Sequence, residues 1–250
     1  MPANPLAPLT EPVADGVWRH AGDLRQGMNV YLVAEEDGSG VFAFDAGTKA
    51  MAKGIKTAAA ERGGLTRVIL GHSHVDHRGS AAKLGVPIFC HPDEKADAQG
   101  DGGQHYQPLG DIPVTYSRWL YRAVFPLWDG GPLTIAGTIS EGEKIGEFEV
   151  VHLPGHAPGQ IGLWRERDRL CLCSDTVYLT DTMRPLGHHP GVYPPHPVFD
   201  ADPEATLASV RKLAALEPAI VAPGHFPPLK GEPAELRTQL ERAADQRAGW

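Results

Sequence analysis

The sequence predicts an α/β protein, a single domain in which two packed, mixed β-sheets carry helices on their outer faces. Three observations lead there. Strand-type runs alternate with helix-type stretches, and each half of the chain supplies strands first and then helix. No linker-like change of composition separates the halves. The 250 residues are enough to bury a sizeable core without staples. Periodicity alone gives only α/β with a mixed sheet, and two packed sheets under outer helices is the simplest arrangement.

Taken in order, residues 1–12 carry four prolines and are expected to form a flexible tail, leaving 13–250 as the domain. Val30–Val33 and Val41–Phe44 read as strands about the turn Glu36–Gly40, the second ending in Asp45-Ala46-Gly47-Thr48. A helix is expected from Lys49 to Arg62, with Met51, Ile55, Ala58 and Ala59 on one face and Gly63-Gly64 closing it. The β-type run Thr66–Leu70 leads into a polar turn, a short helix near Ser80–Leu84 and the strand Val86–Cys90. His91–Pro113 reads as loop. Tyr116–Trp128 concentrates aromatic residues, which fits a helix packed on the core, a lid over a site, or a homodimer contact through 116–128.

The second half repeats the alternation. Phe148–Leu153 is a strand; Ile161–Trp164 and Leu170–Cys173 form a hairpin about Arg165–Arg169. Cys171 and Cys173 read first as alternating residues of a buried strand and only second as a thiol or metal pair, since three cysteines are too few for a disulfide framework. A Pro/His-rich loop runs from Arg184 to Pro197. Pro203–Leu216 is a helix, Ala219–Ala222 a strand, and Pro233 opens a last helix.

Composition excludes some roles. A formal net charge of −8 argues against a nucleic-acid partner, whose phosphates need a basic surface. No apolar run reaches the length of a membrane helix, and the N-terminus lacks the charged and apolar regions of a signal peptide, so a cytoplasmic protein acting on a small molecule is expected.

Chemistry is concentrated in Gly71-His72-Ser73-His74-Val75-Asp76-His77-Arg78-Gly79. Four of six consecutive positions offer imidazole or carboxylate, the donors borderline divalent metals such as zinc accept. Three further residues share one setting, each following an apolar strand at a Gly/Pro-marked turn or strand end: His156 in Leu-Pro-Gly-His, Asp175 in Cys-Ser-Asp-Thr and His225 in Ala-Pro-Gly-His. Catalytic zinc usually takes about three protein ligands, so seven exceed one ion and fit two sharing a carboxylate. His152 alternates with Val150 and Val151 and reads as structural. His188, His189 and His196 read as loop, with pocket lining as the alternative; His20, His91 and His105 carry no motif.

His-x-His-x-Asp-His after a strand, followed by Pro-Gly-His, Ser-Asp and Pro-Gly-His, resembles the metallo-β-lactamase-fold hydrolase superfamily over roughly residues 25–230. The resemblance implies an αββα sandwich with the site at the sheet edges. It implies that His72, His74 and His156 hold one metal, that Asp76, His77 and His225 hold a second, and that Asp175 bridges them. It places Asp45 behind the ligands, orienting a histidine or the loop. It implies two divalent ions, zinc first with iron or manganese as alternatives, and hydrolysis by a hydroxide held between them.

Within the superfamily, a bridging aspartate is unlike true β-lactamases, and the arginine-containing glycine motif of the mononuclear-iron persulfide dioxygenases is absent after Asp175. Glyoxalase-II-like thioesterases share the seven ligands, but Lys230 and Arg237 are the only downstream candidates for a basic glutathione site. Lactonases of the superfamily also resemble this chain in Tyr178, three residues after Asp175. There its phenol would donate to the carbonyl oxygen as negative charge develops, while Asp76 passes a proton to the leaving group. The expectation is a lactone-opening hydrolase, acyl-homoserine-lactone-like in substrate, with a thioesterase as the alternative. A binding protein without turnover is the rival of another class, against which the complete ligand set argues.

Overall fold

Alternation along the early strands sends side chains to two faces, and this divides the molecule into layers. The computed structural model describes residues 8–23, 26–183 and 190–246. In it β1 (Leu9–Ala14), β2 (Val17–Gly22), β3 (Met28–Ala34), β4 (Val41–Phe44), β5 (Leu65–Ile69), β6 (Ile88–Cys90) and β7 (Gly137–Thr138) form one sheet in sequence order. Pairing is antiparallel from β1 to β4 and parallel from β4 to β7. The second sheet opens with β8 (Lys144–Ile145), β9 (Phe148–His152), β10 (Ile161–Arg165) and β11 (Leu170–Ser174). A separate ribbon pairs β12 (Tyr178–Thr180) with β13 (Pro190–Tyr193). β14 (Ile220–Pro223) and β15 (Leu229–Lys230) then complete the second sheet in the order β15-β14-β11-β10-β9-β8, with β11 and β14 parallel.

Between the sheets lie Tyr31, Phe42, Phe44 and Ile69 from the first and Phe148, Val150, Leu163 and Leu172 from the second. The outer face of the first sheet, with Val30, Leu32, Val41 and Ala43, packs on Ile55, Ala58 and Ala59 of α1 (Ala52–Ala60). Three short helices follow, α2 (Val75–Arg78), α3 (Ala81–Leu84) and α4 (Lys95–Gln99). α5 (Thr115–Trp128) seats Phe125 in a smaller cluster with Val75, Ile112 and Phe199, at the strand ends. The outer face of the second sheet, including Cys171 and Cys173, is covered by α6 (Pro203–Ala215) and α7 (Pro233–Gln246) through Val210, Leu213, Leu236 and Leu240. The two thiols are unpaired and buried, as strand residues. Helix, sheet, sheet, helix is the expected αββα order.

The structure corrects two expectations. The tail expected over residues 1–12 does not extend that far: Leu9–Pro12 pair with Trp18–Ala21, and Val13 is buried between the sheets. Four prolines misled because β1 is an edge strand, where a missing N–H costs no ladder bond. Residues 1–7 lie outside the described part. The loop expected at His91–Pro113 instead holds α4 and single turns at Pro92–Glu94, Gln104–Tyr106 and Leu109–Asp111. In the Arg184–Pro197 loop, Pro190–Tyr193 is β13, and the His196 ring accepts the Val198 N–H at 3.2 Å. His188 and His189 lie outside the described residues.

Candidate metal centre

Five turns meet at one edge of the sandwich, each leaving the C-terminal end of a strand. Asp45 follows β4, His72 and His74 follow β5 and lead into α2 with Asp76 and His77. His156 follows β9, Asp175 follows β11 and His225 follows β14. Two of these strand ends are held in left-handed backbone, Asp45 at φ 63° and Ser174 at φ 45°, a conformation uncommon outside glycine and frequent at functional sites. Gly224 is required for a different reason: any Cβ there would collide with Asp175 Oδ1 and His77.

The seven expected ligands converge in the expected sets. The donor atoms of His72, His74 and His156 lie within 4.8 Å of one another, and so do those of Asp76, His77 and His225. Asp175 stands between, with Oδ1 3.2 Å from His77 Nε2 and Oδ2 3.2 Å from His225 Nε2 and 3.7 Å from His156 Nε2. Asp45, His72 and His77 also come close together, but both oxygens of Asp45 are engaged. Oδ1 accepts the Gly71 N–H at 2.7 Å; Oδ2 lies 3.0 Å from His77 Nδ1 and accepts the Ser174 hydroxyl at 2.8 Å. Asp45 therefore orients His77 and the histidine loop, the part the resemblance implies.

Four histidines of the centre are held by one nitrogen, which leaves the other for the interior, while the His74 ring meets the Gln107 amide as well as a hydroxyl. His77 is held by Asp45, His156 Nδ1 by Asp200 Oδ1 at 3.1 Å, and His225 Nδ1 by the Gly27 carbonyl at 3.2 Å. His72 Nδ1 meets the Ser174 hydroxyl at 3.0 Å, and His74 Nε2 meets the Tyr106 hydroxyl at 3.0 Å. The inward atom His72 Nε2 is buried without a hydrogen-bond partner, and His77 Nε2 and Asp175 Oδ1, likewise buried, face each other at 3.2 Å without an aligned hydrogen bond. Such an orphan costs about 1–3 kcal/mol unless something pairs with it. A divalent cation does so, and five imidazoles with two carboxylates are a donor set it accepts, so the residues fit a metal.

Electrostatics agree. Burial lowers His72 and His74 well below the usual histidine range, with neighbouring imidazoles adding to it, so both stay neutral donors. Burial opposes charge on His225 and His77 too, but Asp175 outweighs it with Asp76, and for His77 also Asp45, raising His225 to about 10 and His77 well above the usual range. Asp175 sits well below the carboxylate range: His77 and His225 overcome the burial that opposes its charge.

A cavity of about 620 Å³ opens onto this centre. Leu120, Tyr121, Val124, Phe125 and Trp128 of α5 form one wall, and Phe199 and Phe226 contribute elsewhere. The aromatic segment is thus a helix that also serves as cavity wall. Asp76 and His225 are its exposed ligands, at 15% and 18%. Tyr178 lines the cavity and donates to Asp175 Oδ2 at 2.7 Å. Gln107 lines it as well, its amide nitrogen 3.0 Å from His74 Nδ1.

His152 stays out of the centre. Its Nε2 donates to the Pro158 carbonyl at 3.1 Å and its ring stacks on His91 at 4.2 Å. Asp200, Tyr106 and Gln107 escape sequence reasoning. Asp200 is two residues before Asp202, whose side chain caps α6, and nothing in the string separates orienter from cap. Tyr106 and Gln107 lie in a glycine-rich stretch without periodicity.

A sequence model of the metallo-beta-lactamase superfamily matches residues 25–225. The chain is 27% identical over 267 residues to the probable metallo-hydrolase YflN of Bacillus subtilis (strain 168), with 98% of each chain covered. To the probable metallo-hydrolase YybB of the same organism it is 24% identical, covering 76% of this chain and 77% of that one. In fold it is similar to a metallo beta lactamase from Erythrobacter litoralis, with TM-score 0.62, 19% identity and 95% and 96% coverage. It is similar also to TTHA1623 in a di-iron-bound form, with TM-score 0.58, 24% identity and coverage of 81% and 89%. With the sandwich, the seven converging ligands and a match over residues 25–225, the chain belongs to the metallo-beta-lactamase superfamily.

Proposed function

We propose that this chain is a metal-dependent hydrolase that holds two divalent ions, zinc first, and opens the carbonyl of a lactone with an apolar tail. The observation that carries the reading is the cavity: an aromatic and aliphatic chamber that ends on Asp76, His156, His225 and Tyr178. Apolar walls select an apolar substrate portion, and the few polar groups at the end fix the reacting carbonyl. Among the described residues lining it there is no Lys or Arg, whereas Asp23, Asp76 and Asp181 are present. Among these described residues the tail of an anionic substrate such as a glutathione thioester meets carboxylates rather than a basic side chain. Lys230 instead donates to the Val13 carbonyl, and Arg237 pairs with Glu217 and Glu241 on the surface.

When bound, the ions supply Lewis acidity toward the carbonyl and lower the pKa of water to near neutrality. The chain's residues do the rest. Asp175 joins the two ligand sets, and Tyr178 holds Asp175 while presenting its phenol beside the carbonyl site. The Asp76 carboxylate, at the cavity end, would take the proton released as water adds to the carbonyl and pass it to the leaving oxygen as the ring C–O bond breaks. The cavity walls keep bulk water from the substrate.

The test is a hydrolysis panel on metal-reconstituted protein with metal content measured: acyl-homoserine lactones, simple lactones, S-lactoylglutathione and a chromogenic cephalosporin. Turnover of lactones is expected. Turnover of the thioester alone would replace the reading by a thioesterase. Oxygen uptake with a persulfide on one iron would replace it by a sulfur dioxygenase.

A further inference from the structure

Behind the three-histidine set lies a carboxylate that no motif announces. Glu94 ends the turn after β6 and is 0% exposed. Its Oε2 accepts the Ser73 N–H at 2.7 Å and its Oε1 accepts the Gly159 N–H at 2.8 Å. Ser73 sits between His72 and His74, and Gly159 lies three residues after His156. One side chain therefore ties together the two backbone segments that carry all three histidines. Contact at Gly159 is close enough that a Cβ would come within 2.8 Å of the Glu94 nitrogen. Among the described residues no Lys, Arg or His forms an ion pair with Glu94.

We propose that Glu94 is the positioning residue of the three-histidine set: it fixes the separation of its two loops and adds a buried negative charge behind both, beside the Asp175 and Asp200 carboxylates that, within the set, face His156 alone. Asp45 does the corresponding work for the other set, where it accepts from Gly71, Ser174 and His77. The pairing gives each half of the centre a buried carboxylate that braces its backbone. Burial pushes the Glu94 carboxyl upward, while the two backbone N–H groups pull it back toward the ionised form. A cation among the histidines completes that balance.

The inference rests on the two-ion reading, and its test reads metal rather than substrate. Glu94→Gln keeps shape but removes the charge and turns an amide N–H toward a backbone N–H. Titration of metal-free protein with Co²⁺, followed by absorption, is expected to show one equivalent weakened about 10–100-fold and the other within about threefold. The metal-free variant keeps its circular dichroism, and kcat falls with KM little changed. Glu94→Asp keeps the charge but reaches one N–H, and should fall between. If Glu94→Gln does not fold, Glu94→Asp and Gly159→Ala are read instead, and both should weaken the same equivalent. Two equivalents of wild-type affinity in the Glu94 variants would overturn the proposal. So would parallel loss of both equivalents together with the dichroism, the mark of a merely structural role. Should wild-type protein take up only one equivalent, the two-ion reading fails, and the Glu94 effect is read on that one ion.

Discussion

The two ligand sets of the centre are built differently. His72, His74 and His156 are imidazoles at most 3% exposed, held from behind by Ser174, Tyr106 and Asp200. Asp76, His77 and His225 mix a carboxylate with two histidines of raised pKa, and two of the three reach the cavity. One half is the more enclosed, reaching the cavity through His156 alone; the other opens to it through Asp76 and His225. Asp175 belongs to both, and this makes it the place to break the contrast. Asp175→Ala leaves His77 and His225 without their main counter-charge, a loss of about 3–5 kcal/mol for a buried charged cluster. Activity should fall by on the order of 10³-fold, with metal uptake dropping below that of the wild type. Full activity with full metal content would show that the halves act independently. Tyr178→Phe, which removes only the hydrogen bond to Asp175 and the phenol, should be milder, about 10–100-fold, the cost of a hydrogen bond to a charged group.

The next test separates the halves. Asp200 bears on the three-histidine set through His156, whereas His225 leans on the Gly27 carbonyl, which no substitution removes. Asp200→Ala should weaken one metal equivalent about 10–100-fold, the usual cost of losing a group that orients a ligand histidine. The other equivalent should be unchanged. If both weaken together, the two sets are one cooperative site.

That contrast also explains what could be read from the string. Four of the expected ligands stand in one run and three at Gly/Pro-marked or Ser-marked strand ends, so the residues that converge were legible. Their supports were not. Asp200, Tyr106 and Glu94 act across 44, 32 and 65 residues of sequence, in turns with no periodic signal, and only packing of two sheets brings them to their partners. Asp45 was legible only because the resemblance supplied its Asp-x-Gly turn. The strands were found by their apolar alternation, while the tail was misjudged because proline signals a coil until its edge position is known.

A smaller effect probes the open half through α5. Leu120 lines the cavity, so Leu120→Ala removes apolar wall without touching a ligand. For a long-chain acyl lactone kcat/KM should fall about tenfold, within the 1–3 kcal/mol that a methylene or so of fit commands. A short-chain lactone should be affected about twofold at most. Equal losses for both chains would mean that the wall supports the centre rather than the tail.

The smallest catalytic effect belongs to the other face of the same helix. Tyr116, Trp119 and Leu127 point away from the cavity and are 42%, 70% and 70% exposed. Single exposed apolar residues need no partner, but three on one helix face are a surface that association would cover. We propose that this face is the homodimer contact expected of the aromatic segment. Wild-type protein should then sediment as a dimer whose population falls on dilution, and Trp119→Ser with Leu127→Ser should sediment as a monomer. Because neither residue lines the cavity, kcat/KM of the double variant should stay within about twofold, as for surface substitutions generally. A wild-type monomer at every concentration would leave α5 with a single role, the wall over the open half of the centre.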